Sequence, residues 1–347
     1  MNGLTENIIE LNRDKEPFVI QASRPRSPHN FKELCGDKAI PLCFVHASDI
    51  HNVPDLWDRM VQYINHYSEY ISFAVHTGDY CGGIQEAHTD MYAECTECIR
   101  PIFNCTGNHD CVSDNKWSHP SEKKITHSLL FNHTENWGVS FMDCEYPMSY
   151  YKDFPDSNVR LIVLDLYYDI WEARVWLAKL LDDALQKGLH IVTAMHEPTD
   201  YINETFDTTF HHMDDYEKVF KQFEINRNSL SFDHRDRVTF EDIIADFIDK
   251  GGRFVCNLAG HDHIDSFGYT KSGVLNVVVE NATDWDKLGE SSRIKGTRTY
   301  DCFNVVGIDT DLCLLKLIRI GNNVDHHMRE KNVLCFDYKN KKVIFSK

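Results

Sequence analysis

Five short stretches of the sequence carry residues that can bind a metal ion or transfer a proton. They are Asp49-Ile50-His51, Gly78-Asp79, Gly107-Asn108-His109-Asp110, the lone His196 and Gly260-His261-Asp262-His263. Imidazole nitrogens mixed with carboxylate oxygens suit Mn, Fe, Zn or Co better than Ca or Mg. The residue types therefore predict a transition-metal site, provided that the fold brings the stretches together.

Each stretch ends an apolar run that is typical of a β-strand. The runs cover residues 41–51, 71–80, 101–110, 190–196 and 253–263. Strands that end at one edge of a sheet bring residues distant in the sequence to one place, so this edge is the predicted site.

Helical patterns follow several of these runs. We predict helices over Pro54–Tyr70, over Ile84–Cys98, up to Gly188 after a further strand at 159–166, and over about 240–250. In the third helix, five apolar side chains fit one face. They are Trp171, Val175, Leu177, Leu181 and Leu185.

In this order, the motifs D-x-H, G-D, G-N-H-D, a lone H and G-H-x-H resemble those of the calcineurin-like metallophosphoesterase superfamily, over residues 49 to 263. The resemblance implies an α/β fold, a four-layer α/β/β/α sandwich of two mixed β-sheets flanked by helices. It also implies two divalent transition-metal ions, Mn, Fe, Zn or Co, bridged by Asp79. One ion would be bound by Asp49, His51 and His263, and the other by Asn108, His196 and His261.

The same resemblance implies hydrolysis of phosphate esters. A hydroxide between the two metals would attack phosphorus in line. His109 would lie over the leaving-group oxygen as a general acid or a stabiliser of charge, and Asp110 would hydrogen-bond and orient it. The expected partner is a small phosphorylated substrate, whose binding residues the sequence does not identify.

This sequence differs from the motifs of two subgroups of the superfamily, and the differences narrow the expected class of substrate. Protein Ser/Thr phosphatases carry G-D-x-x-D-R-G, whereas this chain has no arginine in the stretch after Gly78-Asp79. Purple acid phosphatases have a tyrosine three residues after the aspartate, and here that residue is Gly82. The pattern favours the branch of small-molecule phosphodiesterases and phosphatases.

Three alternatives stay open. The metal pair serves a phosphomonoesterase as well as a phosphodiesterase. A metallonuclease is a second alternative, which a face lined with Lys and Arg would favour. A non-catalytic protein that kept the fold is a third, and it predicts lost ligands or a lost His109, neither of which is observed.

The chain divides into three parts by pattern. Residues 1–40 form an N-terminal extension, and residues 41–320 form the phosphoesterase domain, with a polar insertion at about 199–235 that we expect to shape substrate access. Residues 321–347 are predicted to form a C-terminal β-hairpin packed on the same domain.

The composition excludes other kinds of protein. Of 347 residues, 42% are hydrophobic, as in ordinary globular enzymes, and no run approaches the roughly 20 apolar residues of a membrane span. The first twenty residues lack the apolar core of a secretory signal, so we expect a cytoplasmic protein with no membrane partner and reduced cysteines. The net charge of −18 disfavours nucleic acid as a partner. The oligomeric state is not specified.

Other clusters of polar residues favour structural roles. His46 and His76 are each three residues before a ligand aspartate, and strands in register would place them side by side beneath the site. Cys95, Cys98, Cys105 and Cys111 resemble a zinc knot, but packing cysteines are favoured because a second C-x-x-C is missing. The polar runs at 211–215 and 326–327 are expected to be solvated loops.

Overall fold

The computed structural model describes most of the chain from residue 41 onward. The described residues are 10–11, 20–21, 41–51, 53–80, 97–110, 120–131, 134–199, 239–263, 265–270, 272–280, 294, 300–321 and 333–346. Of the N-terminal extension, only two short antiparallel strands are described, β1 (Glu10–Leu11) and β2 (Ile20–Gln21). The predicted insertion, apart from Thr199, and the polar runs at 211–215 and 326–327 lie outside these residues.

The first sheet has seven strands in the order β16-β15-β14-β13-β3-β4-β5. Their bounds are β3 Leu42–Ala47, β4 Ala74–His76, β5 Ile102–Asn104, β13 Cys302–Asp309, β14 Leu314–Gly321, β15 Val333–Asp337 and β16 Lys342–Ser346. The strands β3, β4 and β5 are parallel, and the others are antiparallel to their neighbours. The strands β15 and β16 form a hairpin around residues 338–341. The domain boundaries themselves stay predictions.

The second sheet also has seven strands, in the order β11-β12-β10-β9-β8-β7-β6. Their bounds are β6 Ser140–Phe141, β7 Tyr150–Phe154, β8 Val159–Val163, β9 His190–Ala194, β10 Arg253–Ala259, β11 Ser266–Tyr269 and β12 Leu275–Val278. The four central strands, β8, β9, β10 and β12, are parallel. Parallel strands need both faces covered, and their sequences are correspondingly apolar and buried.

The two sheets pack face to face, and helices cover their outer faces. Between the sheets, the rings of Phe267 and Phe336 lie 5.0 Å apart, and Arg319 forms a buried ion pair with Asp265. Helix α1 (Pro54–His66) packs on the first sheet, where the ring centroid of Tyr63 is 5.1 Å from that of Phe303. The other helices are α2 Pro120–Leu130, α3 Ile170–Lys187 and α4 Phe240–Asp249, and α3 and α4 lie together on the second sheet. The predicted four-layer α/β/β/α sandwich is confirmed.

Three of the four predicted helices lie within the described residues, and these three are correct in type but differ in detail. Helix α3 ends at Gly188, as predicted, with φ +67°. Its predicted apolar face is partly wrong, because Val175 is 59% exposed. Val175 lies two residues, or about 200° of rotation, from Ala173, which is buried. The buried face is Ile170, Ala173, Leu177, Leu181 and Ala184.

Two further boundaries differ from the prediction. Helix α1 ends at His66 rather than Tyr70, with a turn over residues 67–70. The predicted helix Ile84–Cys98 lies outside the described residues except for its last two, which are not helical. Pro101 disfavours a helical conformation at Arg100, the residue directly before it, and β5 then begins at Ile102.

His46 and His76 are both buried, but they are not side by side. The register of β3 and β4 pairs His46 with Val75 and His76 with Ala47. Paired residues share a face of the sheet and successive residues alternate, so the two imidazoles project from opposite faces. The expected juxtaposition is therefore wrong by one residue of register.

Among the described residues, no helix combines the length and the apolar character that crossing a bilayer requires.

Candidate metal centre

The predicted ligands lie at the carboxyl ends of parallel strands in both sheets. Asp49 and His51 follow β3, Asp79 follows β4, and Asn108 follows β5, all in the first sheet. His196 follows β9, and His261 and His263 follow β10, in the second sheet. The structure brings these seven side chains into two neighbouring groups.

The first group, site 1, consists of Asp49, His51 and His263. The Nε2 atoms of the two histidines are 3.1 Å apart, and Oδ1 of Asp49 lies 3.2 Å from His263 Nε2 and 3.7 Å from His51 Nε2. Asp49 is fully buried, whereas the two histidines are half-buried. Three donor atoms therefore converge on one point below the surface.

The second group, site 2, consists of Asp79, His196 and His261, with Asn108 beside them. Asn108 Oδ1 lies 3.0 Å from His196 Nε2 and 3.1 Å from His261 Nδ1. These two imidazole nitrogens are themselves 3.1 Å apart. His196 thus faces the site with Nε2, and His261 faces it with Nδ1.

Hydrogen bonds between the sheets fix the orientation of these ligands. His196 Nδ1 lies 2.7 Å from the carbonyl oxygen of Thr77, so Nδ1 carries a proton and donates it, and Nε2 is the nitrogen that the neutral ring would offer to a metal ion at site 2. The backbone amide of His261 donates to Asp49 Oδ2 over 2.9 Å. Each bond joins a residue that follows a strand of one sheet to a residue that follows a strand of the other, so the site lies where the two sheets meet.

Five of the seven ligands have a left-handed backbone conformation. Their φ values are +55° for Asp49, +44° for His51, +58° for Asp79, +67° for His261 and +58° for His263. Residues other than glycine rarely adopt this conformation, which costs of order 1–3 kcal/mol where the surroundings enforce it. All five residues lie in the loops that follow β3, β4 and β10.

Two glycines allow the strand ends to approach closely. A Cβ atom on Gly107 would overlap with the Asp79 carboxylate, and one on Gly260 would overlap with Ser48 Oγ and Asp49 Oδ2. Glycine is therefore required beside each ligand aspartate for steric reasons.

The ionisation of the ligands reflects a concentration of opposite charges. Burial alone would raise the pKa of Asp49, but the contact with His263 and the fields of His196 and His51 hold it well below its usual value. Burial lowers the pKa of His196, yet the carboxylates of Asp79, Asp49 and Glu197 outweigh it and raise that pKa to about 10. Burial lowers the pKa of His51, and Asp79 and Asp49 only partly compensate. The buried carboxylates thus create a strong local preference for positive charge.

The donor sets fit divalent transition-metal ions. Each group offers imidazole nitrogens and carboxylate oxygen, with ligand atoms all within 4.8 Å of one another. Two nitrogens bound tetrahedrally at the usual zinc distance are about 3.3 Å apart, close to the 3.1 Å between His51 and His263. Within the described residues, the buried Oδ1 of Asp49 accepts no hydrogen bond of normal geometry, as expected for an atom aimed at a cation.

His109 and Asp110 lie next to these groups. His109 is exposed, and its ring stands edge-on to that of His51 with centroids 5.1 Å apart. The buried carboxylate of Asp110 accepts the backbone amides of Asp79, Tyr80 and Gly107 at 2.8–2.9 Å. Asp110 therefore fastens the chain after β4 to the chain after β5. Its predicted contact with the His109 ring stays a prediction.

The sequence interpretation missed two residues at site 2. Glu197 is fully buried directly after His196, and Oε1 of its carboxylate lies 3.8 Å from His261 Nε2. Tyr167, in the loop after β8, donates its hydroxyl to the same oxygen over 3.4 Å. An acidic residue adjacent to a ligand at a strand end was the available signal for Glu197. Nothing in the local sequence marks Tyr167.

The cysteines do not form a zinc knot in the described part of the chain. Cys98 and Cys105 are buried free thiols, and neither belongs to the two groups of potential metal ligands found there. Burial raises the pKa of both thiols, which keeps them neutral. Cys95 and Cys111 lie outside the described residues.

Comparison with solved structures identifies the fold. A dimetal phosphatase from Danio rerio is similar over 81% of this chain and 96% of its own, with 14% identity and a TM-score of 0.51. A predicted phosphoesterase from Streptococcus pneumoniae has 12% identity, covers 86% of this chain and 98% of its own, and gives a TM-score of 0.35. Phosphopantetheinyl hydrolase from Mycobacterium tuberculosis has 12% identity, 76% and 95% coverage, and a TM-score of 0.39.

The likeness to the zebrafish dimetal phosphatase confirms, at the level of the fold, the resemblance that the motifs indicated. No protein-family model and no curated protein matches the sequence.

Proposed function

We propose that this chain, which has the calcineurin-like metallophosphoesterase fold, is a hydrolase of phosphate esters that uses two divalent transition-metal ions. The observation that carries the proposal is the pair of donor groups that share Asp79. Its Oδ2 lies 3.3 Å from His196 Nε2 of site 2 and 3.7 Å from His51 Nε2 of site 1. A carboxylate in that position has one oxygen within reach of both sites.

Two ions held by these residues would supply Lewis-acid activation of a water molecule and neutralise the charge of a bound phosphate group. The residues of the chain would bind and position these ions. Asp49 and Asp79 would supply the buried negative charge that retains the cations. The remaining ligands would be the side chains of His51, Asn108, His196, His261 and His263. The backbone amide of His109 donates to Asp79 Oδ1 over 2.8 Å, which holds the carboxylate with Oδ2 toward the two sites.

His109 is the proposed proton donor. It is exposed, whereas the ligands are buried or half-buried, so its imidazole stands at the mouth of the site where a substrate arrives. There it would give a proton to the leaving-group oxygen or stabilise the negative charge on that oxygen. Asp110 positions this segment through the three amides that its carboxylate accepts.

The proposed substrates are small phosphodiesters or phosphomonoesters. The net charge of −18 opposes binding of a long polyanion such as nucleic acid, because like charges repel. The insertion at about 199–235 is proposed to shape access to the site. The two groups of potential metal ligands would suit either kind of ester.

The test combines metal analysis with assays on two model esters. Purified protein should bind two equivalents of Mn, Fe, Zn or Co, and should cleave bis(p-nitrophenyl) phosphate or p-nitrophenyl phosphate in the presence of one of these metals. The faster ester identifies the diesterase or the monoesterase, and a plasmid substrate tests for a nuclease. A chelated sample is the matched control. A protein that retains no metal pair and cleaves none of these substrates contradicts the proposal and favours a non-catalytic role.

A further inference from the structure

Glu197 is a buried acid at site 2 that none of the proposed steps uses. Its side chain is fully buried, and a buried carboxylate is costly unless hydrogen-bond donors or positive charge surround it. Two groups face its Oε1 atom: the Tyr167 hydroxyl at 3.4 Å and the Nε2 atom of His261 at 3.8 Å. The position of this charge therefore requires an explanation.

His261 presents its two ring nitrogens to different surroundings. Its Nδ1 atom lies 3.1 Å from Asn108 Oδ1 and 3.1 Å from His196 Nε2, within site 2. Its Nε2 atom lies on the other side of the ring and faces Glu197. When Nδ1 of a neutral imidazole is the metal ligand, Nε2 must carry the proton. The nitrogen that would carry that proton is 3.8 Å from the Glu197 carboxylate.

A carboxylate beside the outer nitrogen of a ligand histidine has two effects. It fixes the tautomer and the ring orientation, and it makes the inner nitrogen more basic and therefore a stronger ligand. Removal of such a partner usually lowers metal affinity by roughly 10–100-fold. A neutral amide of the same size would fill the space but would supply neither the negative charge nor the same strength of acceptor.

Tyr167, in the loop after a third strand, supports this arrangement through its contact with Glu197. The residue follows β8, its ring centroid is 6.4 Å from that of His196, and its hydroxyl donates to the oxygen of Glu197 that faces His261. The contact links the loop after β8 to the ligands after β9 and β10. Donation from a phenol to one carboxylate oxygen restricts the rotation of the Glu197 carboxylate.

We propose that Glu197 is a positioning residue, which holds His261 with Nδ1 toward site 2 and so strengthens the binding of the second metal ion. The proposal rests on the proposed function, because it assigns a metal ion to site 2. It adds a carboxylate–histidine pair outside the seven ligands. Tyr167 in turn positions Glu197.

The experiment measures metal affinity rather than activity. Titration of metal-free protein with Zn²⁺ should give two equivalents, and Glu197→Gln should weaken one of them by roughly 10-fold or more while the other changes little. Glu172→Gln, the same change at an exposed glutamate of α3, is the matched control and should bind both equivalents as the wild type does. Nitrogen chemical shifts of the His261 ring provide a second readout, since the Nε2-protonated tautomer should lose population in Glu197→Gln.

A second variant guards against a folding defect. Tyr167→Phe removes only the hydroxyl and keeps the ring, so it should fold and should weaken the same zinc equivalent by a smaller factor. Wild-type affinity for both equivalents in Glu197→Gln, with an unchanged His261 tautomer, overturns the proposal and leaves the proposed function intact. Two zinc equivalents with the expected loss, but no ester cleaved by the wild type, overturns the proposed function alone. A wild type that binds fewer than two ions overturns both.

Discussion

Oδ2 of Asp79 lies 3.3 Å from Nε2 of His196, although the two residues follow strands of different sheets. The same oxygen is 3.7 Å from His51 Nε2. One carboxylate therefore lies between the two groups of potential ligands, and its loss should affect both.

Asp79→Asn should abolish binding of both metal ions and all hydrolysis of model esters, because an amide offers one neutral oxygen in place of a charged carboxylate. The metal content of the purified variant, measured by mass spectrometry, checks this. Asp182→Asn on the exposed face of α3 is the control and should keep both metals. Retention of one full equivalent by Asp79→Asn would contradict a shared role.

His109→Ala should keep both metal ions and lose turnover. The side chain of His109 is exposed at the mouth of the site, and the ligand groups are complete without it. A missing general acid costs roughly 10²–10⁴-fold in kcat. Parallel measurements of metal content and kcat test this, with His66→Ala at an exposed position of α1 as the control. A metal-free His109→Ala protein would refute the assignment.

Gly260→Ala should damage site 1 through sterics alone. The added methyl group would overlap with Ser48 Oγ and with the Asp49 carboxylate, so Asp49 must move away from His51 and His263. We expect the loss of at least one metal equivalent. Gly188→Ala is the control for the same substitution without a steric overlap, because no atom lies within 4 Å of the added methyl, although Gly188 has a positive φ. It should lose roughly 1 kcal/mol of stability and keep both metals.

His190 should make the stability of the fold dependent on pH below neutrality. Burial, and then the charge of Arg253, lowers the pKa of His190 from 6.5 to about 4. The unfolded chain therefore binds a proton at a higher pH than the folded one, so this contribution to stability is fully present above pH 6.5 and is lost as the pH falls toward 4.

Urea unfolding between pH 7 and pH 4.5 checks this prediction. His190→Gln removes the titrating group and leaves an amide near Tyr338, whose hydroxyl lies 2.7 Å from His190 Nδ1. The variant should lose less stability than the wild type over this range. Equal losses in both proteins would show that His190 does not contribute.

Much of the site could be predicted because its signals are local. Each ligand stands directly after a short apolar run, and the end of such a run is visible in the sequence. The grouping of Asp49, His51 and His263 came from the resemblance, and the structure brings these three together. The roles of the ligands stay predictions that the experiments above address.

The rest depended on contacts that no local pattern encodes. The predicted juxtaposition of His46 and His76 is wrong because register is set by the pairing between strands. A shift of one residue moves a side chain to the other face of the sheet. Val175 was assigned to the buried face of α3, but which stripe of a helix is buried depends on the sheet beneath it. Glu197 and Tyr167 meet only because β8 and β9 are neighbours in the folded sheet.

The ligands of site 1 come from distant parts of the sequence, which has a consequence for the newly synthesised chain. His51 and His263 lie 3.1 Å apart but are separated by 212 positions in the sequence. The ribosome adds His263 long after His51, so site 1 cannot be completed before that point. In addition, β3 is flanked on one side by β13, which is made later still. The ligand set of site 1 is therefore completed late in synthesis, and the segments made before His263 begin to fold without it.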